Sequence, residues 1–309
     1  MEYQTARLLM ETLQSAEHSI QTGYGISDPM YGGNDSVPTQ GLGQGNGNAP
    51  AIWCLISCVM IKVMERRGHR VELLSSISAT LITLICFAFV DDTDLPCVAS
   101  SVYESGESVA LKFQKSLDNW AGTVKATGGE LEPSKFWCYL IDFSWNGDKW
   151  VYQSKEVMDV QFTMKDRYGY SQPLQRLEVD EGEETLGVYI LMDGNYLNQE
   201  NNLQNICEDF GNKMRTSDCS PSTAIYTFLK CLLKKLEYCM PVTSFSKEKW
   251  ASIIWPALKP TLAKAKFAGN FPRDVLYGTQ LYGGFSLEDP FTKQGIIKII
   301  TQRLRKFSN

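Results

Sequence analysis

Histidine is nearly absent from this chain of 309 residues, which has only His18 and His69. Its nine cysteines contain no C-x-x-C pair, so the ligand spacing of a structural zinc site is missing. Thiols in odd number and without a disulfide framework read as reduced cysteines of an intracellular protein, in cytoplasm or nucleus. No basic segment leads into an apolar core at the N-terminus, and no signal peptide is expected. The glycine-rich stretch 22–47 lacks the Lys-Ser/Thr ending of a phosphate-cradling loop, which excludes a nucleotide hydrolase of that type. There is no internal repeat. Positive charge is also short, with a formal net charge of −5 and a pI near 5.3, which argues at first against a phosphate-rich partner. One uncharged run of 18 residues, Leu73 to Val90, touches the lower limit for a membrane helix. Serine and threonine dilute it and β-branched and aromatic residues accumulate toward its end. Buried strands are the preferred reading, with a single membrane anchor as the alternative.

What is present is the composition of a globular protein, 43% hydrophobic and 21% charged, long enough for two domains. The charge is unevenly placed. From Ser220 to Asn309 there are 14 Lys and Arg against 5 Asp and Glu, so this last part is net basic and the rest strongly acidic. An acidic, cation-seeking first part followed by a basic, helical last part is an arrangement that suits nucleic acid, although a basic helical face can also be simply solvated.

The chain is organised around Cys86 to Leu95, C-F-A-F-V-D-D-T-D-L. An apolar run ends in two adjacent carboxylates, Asp91 and Asp92, with Asp94 two positions on. Like charges side by side raise each other's pKa unless a cation neutralises them, and a divalent metal is the natural guest. The plainer alternative is that Asp-Asp merely ends a buried strand at a solvated turn. A strand over Ser76 to Val90, a tight turn at Thr93-Asp94-Leu95 and a returning strand would raise the carboxylates on a hairpin tip. Alternation along the strand lets only one of the pair point fully inward.

Residues 2–21 carry a loose helical pattern, Leu8, Leu9, Leu13 and Ile20. After the glycine-rich loop, Ala49 to Arg67 reads as a helix with Pro50 at its start and Gly68 past its end. It is apolar on most sides and is expected to be buried. Glu104 to Ala126 reads as a covering helix on Val109, Phe113, Leu117, Trp120 and Val124. Gly128 and Gly129 end it, and Lys135 heads an aromatic, strand-like run. Trp145 to Trp150 reads as a hairpin turning on Asn146-Gly147, and Thr185 to Gly194 as a strand closed by Asp193-Gly194. The charged stretch 155–184 gives no clear pattern. From Asn202 onward the pattern is helical, with Ile225, Phe228, Leu229, Leu232, Leu233 and Leu236 interleaved with lysines.

Phe89-Val90-Asp91-Asp92 resembles the aromatic-x-Asp-Asp signature of reverse transcriptases, with Phe where Tyr is usual. Gln44-Gly45-x-x-x-Ala49-Pro50 resembles the Pro-Gln-Gly-x-x-x-Ser-Pro entry to that family's long palm helix, with Gly43 and Ala49 as departures. Lys135, Leu186-Gly187 and Tyr282 to Leu287 resemble, in the family's order, the palm lysine, the primer-gripping Leu-Gly hairpin and the closing Gly-Gly-x-x-Leu segment. The resemblance covers about residues 22–300. It implies an α+β fold: residues 1–48 as a residual fingers or palm segment and glycine-rich loop, 49–198 as a palm of antiparallel sheet backed by helices, and 199–309 as an all-helical thumb. It also implies RNA-directed DNA polymerisation, the attack of a primer 3′-hydroxyl on a deoxynucleoside triphosphate with two Mg2+ or Mn2+ ions. Asp91 and Asp92 would be the metal ligands, and Lys135 a general acid or fixed charge at the departing pyrophosphate. Gln44 and Gly45 would lie against the templating base and the incoming nucleotide, with Phe89 beside them and Leu186 and Gly187 at the primer. The implied partners are RNA template, DNA primer and nucleotides, with no membrane.

One departure matters. The family needs a further catalytic aspartate on a strand upstream of the Gln-Gly loop, and here only Asp28 and Asp35 precede it, in surroundings that do not read as strands. The chain alone is expected to hold metal weakly and not to polymerise, with an upstream polypeptide supplying the missing carboxylate. The alternatives are a non-catalytic nucleic-acid-binding remnant and, behind it, the membrane-anchored protein.

Overall fold

The computed structural model describes residues 4, 7, 8, 11, 12, 15, 17–19, 21–28, 31, 32, 49–74, 79–90 and 92–307. It is an α+β structure that divides into two compact units, Met1–Arg176 and Leu177–Asn309. The division falls earlier than the expected one after residue 198. The hairpin carrying Leu186 and Gly187 therefore belongs to the second unit. Every strand lies in an antiparallel or two-membered pairing, and among the described residues these pairs do not join into the continuous sheet that a palm implies.

In the first unit, Gln4, Arg7, Leu8, Glu11 and Thr12 are helical, but the loose helix expected over 2–21 gives way to nested hairpins. Glu17–His18 pairs with Tyr31–Gly32, and Gln21–Thr22 with Gly25–Ile26. The turn Gly23-Tyr24 is closed by Thr22, whose hydroxyl receives the Tyr24 amide. Asp28 thus follows a short strand, contrary to the reading of its surroundings, while Asp35 lies outside the described residues.

Helix α1, Ala49–Arg66, ends as its sequence predicts. Gly68 takes φ +84°, the His69 amide reaches back to Met64 O at 3.1 Å, and the Gly68 amide to Glu65 O at 2.9 Å. These are the two bonds of a Schellman cap. The helix is not buried throughout. Met60 and Met64 are inside, but Leu55 and Val59 are more than half exposed, because α2 and the core around Ile85, Leu95 and Leu131 cover one face. Helix α2, Gly106–Ala126, starts at Ser105, whose side chain accepts from the Ser108 amide, and buries Ala110, Ser116, Leu117 and Trp120.

Two small cores hold this unit. Met60, Met64 and Trp120 meet Ile56, Ile85, Leu95, Val124 and Leu131 in one. The other gathers Ala110, Leu117, Cys138, Phe162, Met164 and Leu174. The last three come from the stretch 155–184 that gave no pattern. There Thr163–Lys165 pairs with Ser171–Pro173, and Gln114 of α2 bridges the Thr163 backbone with both amide atoms, at 2.8 and 3.0 Å. The aromatic hairpin Phe143–Trp145 with Trp150–Tyr152 forms as predicted, but its loop is four residues long, with Asn146 Oδ1 receiving the amides of Asp148 and Lys149.

The second unit is mainly helical. Helix α3, Leu197–Thr216, packs along α6, Lys247–Lys264. Between them α4, Pro221–Thr227, runs through a π-turn at Phe228–Leu232 into α5, Leu233–Glu237. The short α7, Arg273–Tyr277, and α8, Pro290–Phe307, complete it. One core of 18 buried residues joins Val188, Leu203, Phe228, Leu236, Trp250, Ile253 and others. Proline at 260 removes the N–H that would serve the Pro256 carbonyl, and Gly211 of α3 comes so close to that carbonyl that a Cβ would collide with it. Gln294 of α8 is buried with every amide function used: Oε1 accepts from the Phe245 amide and Trp250 Nε1, and Nε2 donates to Phe245 O.

Candidate functional site: a carboxylate hairpin

The stretch Leu73 to Val90 forms strands over 73–74, 81–84 and 87–89, with residues 75–78 not described, but they are not the buried strands expected: Leu74, Leu81, Phe87 and Phe89 are more than half exposed. Val71–Leu74 pairs with Leu81–Leu84, and Phe87–Phe89 turns back into Asp92–Asp94. Among the described residues no helix is long and apolar enough to cross a membrane, and the anchor alternative fails for this stretch on its strand pairing.

Phe89 faces Asp92 across the second hairpin, and Phe87 faces Asp94, so two positions separate the strands, of which Val90 is described, and the turn comes before the expected Thr93-Asp94-Leu95. A two-residue hairpin loop needs positive φ at its first central position. Val90 supplies it at +57°, a conformation that a β-branched residue rarely adopts. Its carbonyl oxygen accepts a hydrogen bond from Trp53 Nε1 on α1. The helix entered from the Gln-Gly loop is thereby tied to the tip of the carboxylate hairpin. Below the tip, Ile85 and Leu95 anchor both strands in the core shared with α1, α2 and Leu131.

Residues opposite each other in an antiparallel pair share a face, as do residues two apart. Phe87, Phe89, Asp92 and Asp94 therefore line one side of the hairpin, all four exposed. Burial, and after it the charge of Asp92, raises the carboxyl pKa of Asp94. Asp94 is the residue that sequence reasoning left out of the site. The signal was present in the Asp92-Thr93-Asp94 alternation, which puts two carboxylates on one strand face.

Asp91, Gln44 and Gly45 lie outside the described residues. Lys135 ends a 3-10 turn, Pro133–Lys135, just ahead of the strand Trp137–Tyr139, and is exposed. Leu131, shortly before it, shares a core with Leu95, which follows the carboxylates. The structure thus brings the hairpin, α1 and the lead-in to Lys135 onto one cluster. Leu186 and Gly187 form the whole loop between Glu183–Thr185 and Val188–Ile190, with φ +50° and +77°. Positive φ at both positions is the type I′ signature, which favours Asn-Gly and is strained for leucine. This turn opens the strand Val188–Ile190, and the expected turn at Asp193-Gly194 follows it, with Gly194 at φ +81° and its amide bonded to Leu191 O at 3.2 Å.

A divalent cation fits what is described only in part. Asp92 and Asp94 offer the hard oxygen donors that Mg2+ or Mn2+ prefers, and a cation would relieve the Asp92 repulsion that, after burial, raises the Asp94 pKa. Among the described residues no three metal-capable side chains come together. The lysines are divided: Lys234 pairs with Glu237, Lys249 with Glu200, and Lys264 donates to the Ser217 carbonyl, which leaves fewer free than the sequence nominates. All nine cysteines are free thiols.

No protein-family model matches the chain, and no curated protein matches it.

Proposed function

We propose that the chain is the palm-and-thumb part of an RNA-directed DNA polymerase of the reverse transcriptase kind. The observation that carries this reading is the hairpin Phe87–Phe89 and Asp92–Asp94, which turns on a left-handed Val90 beside Asp91 and Asp92. A strained β-branched residue at a loop tip next to adjacent carboxylates is an arrangement more readily explained by a site than by stability. The type I′ turn at Leu186-Gly187 supports the reading, because leucine is a poor choice there unless its side chain is needed at the tip.

On this reading Asp91 and Asp92 are the metal ligands, and Asp94 adds negative charge on the face of Asp92. A bound pair of Mg2+ or Mn2+ ions would activate a primer 3′-hydroxyl and stabilise the leaving oxygen of a nucleotide. Phe89 presents an exposed ring beside Asp92 for the nucleotide, and Lys135 stands as the proton donor or fixed charge for pyrophosphate. Gln44 and Gly45 meet the template base and incoming nucleotide, and Leu186 and Gly187 the primer. Among the described residues before Gln44, the family's upstream aspartate has no strand-borne match; Asp28 is exposed and lies past its short strand.

The test is primer extension on an RNA template with magnesium, comparing the chain, the chain with an upstream polypeptide carrying the missing motif, and both with Asp91→Ala. Extension that requires Asp91 supports the reading. Extension that survives Asp91→Ala, or no extension even with the motif supplied, removes it.

A second reading, a nucleic-acid binder without catalysis, is favoured by Lys230, Lys235 and Lys266, which are exposed and whose side chains form no hydrogen bond or ion pair among the described residues. Phosphate contacts by these lysines would hold a strand without reading its sequence. Replacing Lys230 and Lys235 by Ala should weaken RNA binding and flatten the log–log salt dependence by about 1 per lysine.

A further inference from the structure

The helical second unit contains a cavity of about 760 Å³ walled by α6, α7, α8 and the segment just before α8. That volume lies within the usual range for small-molecule sites. Its apolar side includes Trp250, Ile254, Leu258 and Leu287. Arg273 also lines it, and this guanidinium is the unexplained group. Its Nη1 is buried and has no hydrogen-bond partner, and its Cζ lies 4.9 Å from the centroid of the Trp255 ring. A buried charged donor left without an acceptor is costly, and guanidinium pairs best with a planar oxyanion.

The acids around the cavity do not satisfy it. Asp289 Oδ2 is occupied by the Thr292 amide and hydroxyl at the start of α8, at 3.2 and 2.7 Å. Glu288 is paired with Lys293 at 3.2 Å. The Asp274 carboxylate forms no hydrogen bond or ion pair among the described residues and is exposed to solvent. Tyr277 adds a second donor, since burial above all raises its phenol pKa and keeps it protonated at neutral pH.

We propose that this cavity binds a small organic carboxylate with an apolar or aromatic body, its carboxylate received by Arg273 and Tyr277 and its body laid against Trp250, Ile254 and Leu258. A monoanion is favoured over a phosphate because Asp274 and Glu288 also line the cavity and repel a dianion, against one further unpaired cation, Lys247. The site does not depend on the polymerase reading. Its occupant would bridge three helices of the unit and raise its thermal stability by mass action.

The experiment titrates the chain with 4-phenylbutyrate and decanoate, with the amides of both acids, and with phenyl phosphate, following tryptophan fluorescence and thermal unfolding. The acids should bind about tenfold or more tighter than their amides, the discrimination expected of a charge-assisted pair. Arg273→Gln should bring the acids down to the level of the amides, and Arg273→Lys should retain part of the difference. Equal binding of acids and amides, tighter binding of phenyl phosphate, or no binding of either acid at millimolar concentration would overturn the proposal. The acid-to-amide comparison uses the unaltered chain, so it stands even where Arg273→Gln does not fold.

Discussion

The two units solve the same problem of burying a core by different means. The second has one core of 18 residues, with Trp250, Ile253 and Leu262 all but inaccessible and a buried glutamine fully paired. The first is held by two cores of three and six residues, and its strands come only in pairs among the described residues. It leaves Phe87, Phe89, Leu74 and Val59 more than half exposed. Two-stranded ribbons are marginal without a covering face. The carboxylate hairpin is carried by such a ribbon, fastened below by Ile85 and Leu95 and at its tip by Trp53. The lesson is that the second unit is built for self-contained stability, and the first presents its carboxylates and aromatics at the expense of burial.

The largest effect should come from breaking the second unit at its tightest contact. Gly211→Ala drives a methyl into the Pro256 carbonyl, where backbone cannot yield easily, and should cost about 3 kcal/mol or more in urea unfolding. Gln294→Leu leaves the Phe245 amide and carbonyl and Trp250 Nε1 unpaired and should cost about 2 to 4 kcal/mol. A loss below half a kcal/mol at either position would mean that the helical core is looser than its packing implies.

In the first unit the sign should reverse. Val90→Gly removes a β-branched side chain from left-handed backbone, worth roughly 1–2 kcal/mol, against a smaller entropic cost of glycine, and should stabilise by about 0.5 to 1 kcal/mol. Destabilisation would show that the valine packs better than its exposure suggests.

The smallest effect is a pH dependence confined to the first unit. His69 sits between Ser116 Oγ and Asn119 Nδ2, each at 2.6 Å, and because Asn119 Nδ2 is a donor, Nε2 must be its unprotonated acceptor. Burial first, then Lys115 and Arg67, lowers the His69 pKa. A lowered pKa means that the unfolded chain takes up the proton first. The stability from this contact is therefore full above about pH 6.5 and lost as pH falls below it. His69→Gln should flatten that dependence in the thermal unfolding of the first unit; an unchanged profile would assign it to another group.

Much of this architecture was legible in the sequence where local chemistry dictates it. Gly68 and Gly128 mark helix ends by backbone requirement, and the apolar run into Asp91-Asp92 forms a hairpin, although Thr93 and Asp94, expected in its turn, lie in its second strand. What failed depended on neighbours distant in sequence. The apolar pattern of α1 says that it seeks cover and not how much cover it receives. Phe162, Met164 and Leu174 enter a core through Gln114, 49 residues from the backbone it bridges, so no short window shows them. Arg273 looked like one more basic residue of the last part, and only packing against Trp255 reveals its unpaired donor. In the site itself, Asp92 and Asp94 were readable from strand alternation, whereas the tie from Trp53 to Val90 was not.

The most direct test of the account is Mn2+ binding followed by electron paramagnetic resonance, on the chain and on Asp91→Asn. The account predicts saturable binding that weakens about tenfold or more when the carboxylate is neutralised, and a comparable loss for Asp92→Asn. Binding of equal strength in all three chains would contradict it, and with it the assignment of the hairpin as a catalytic metal site.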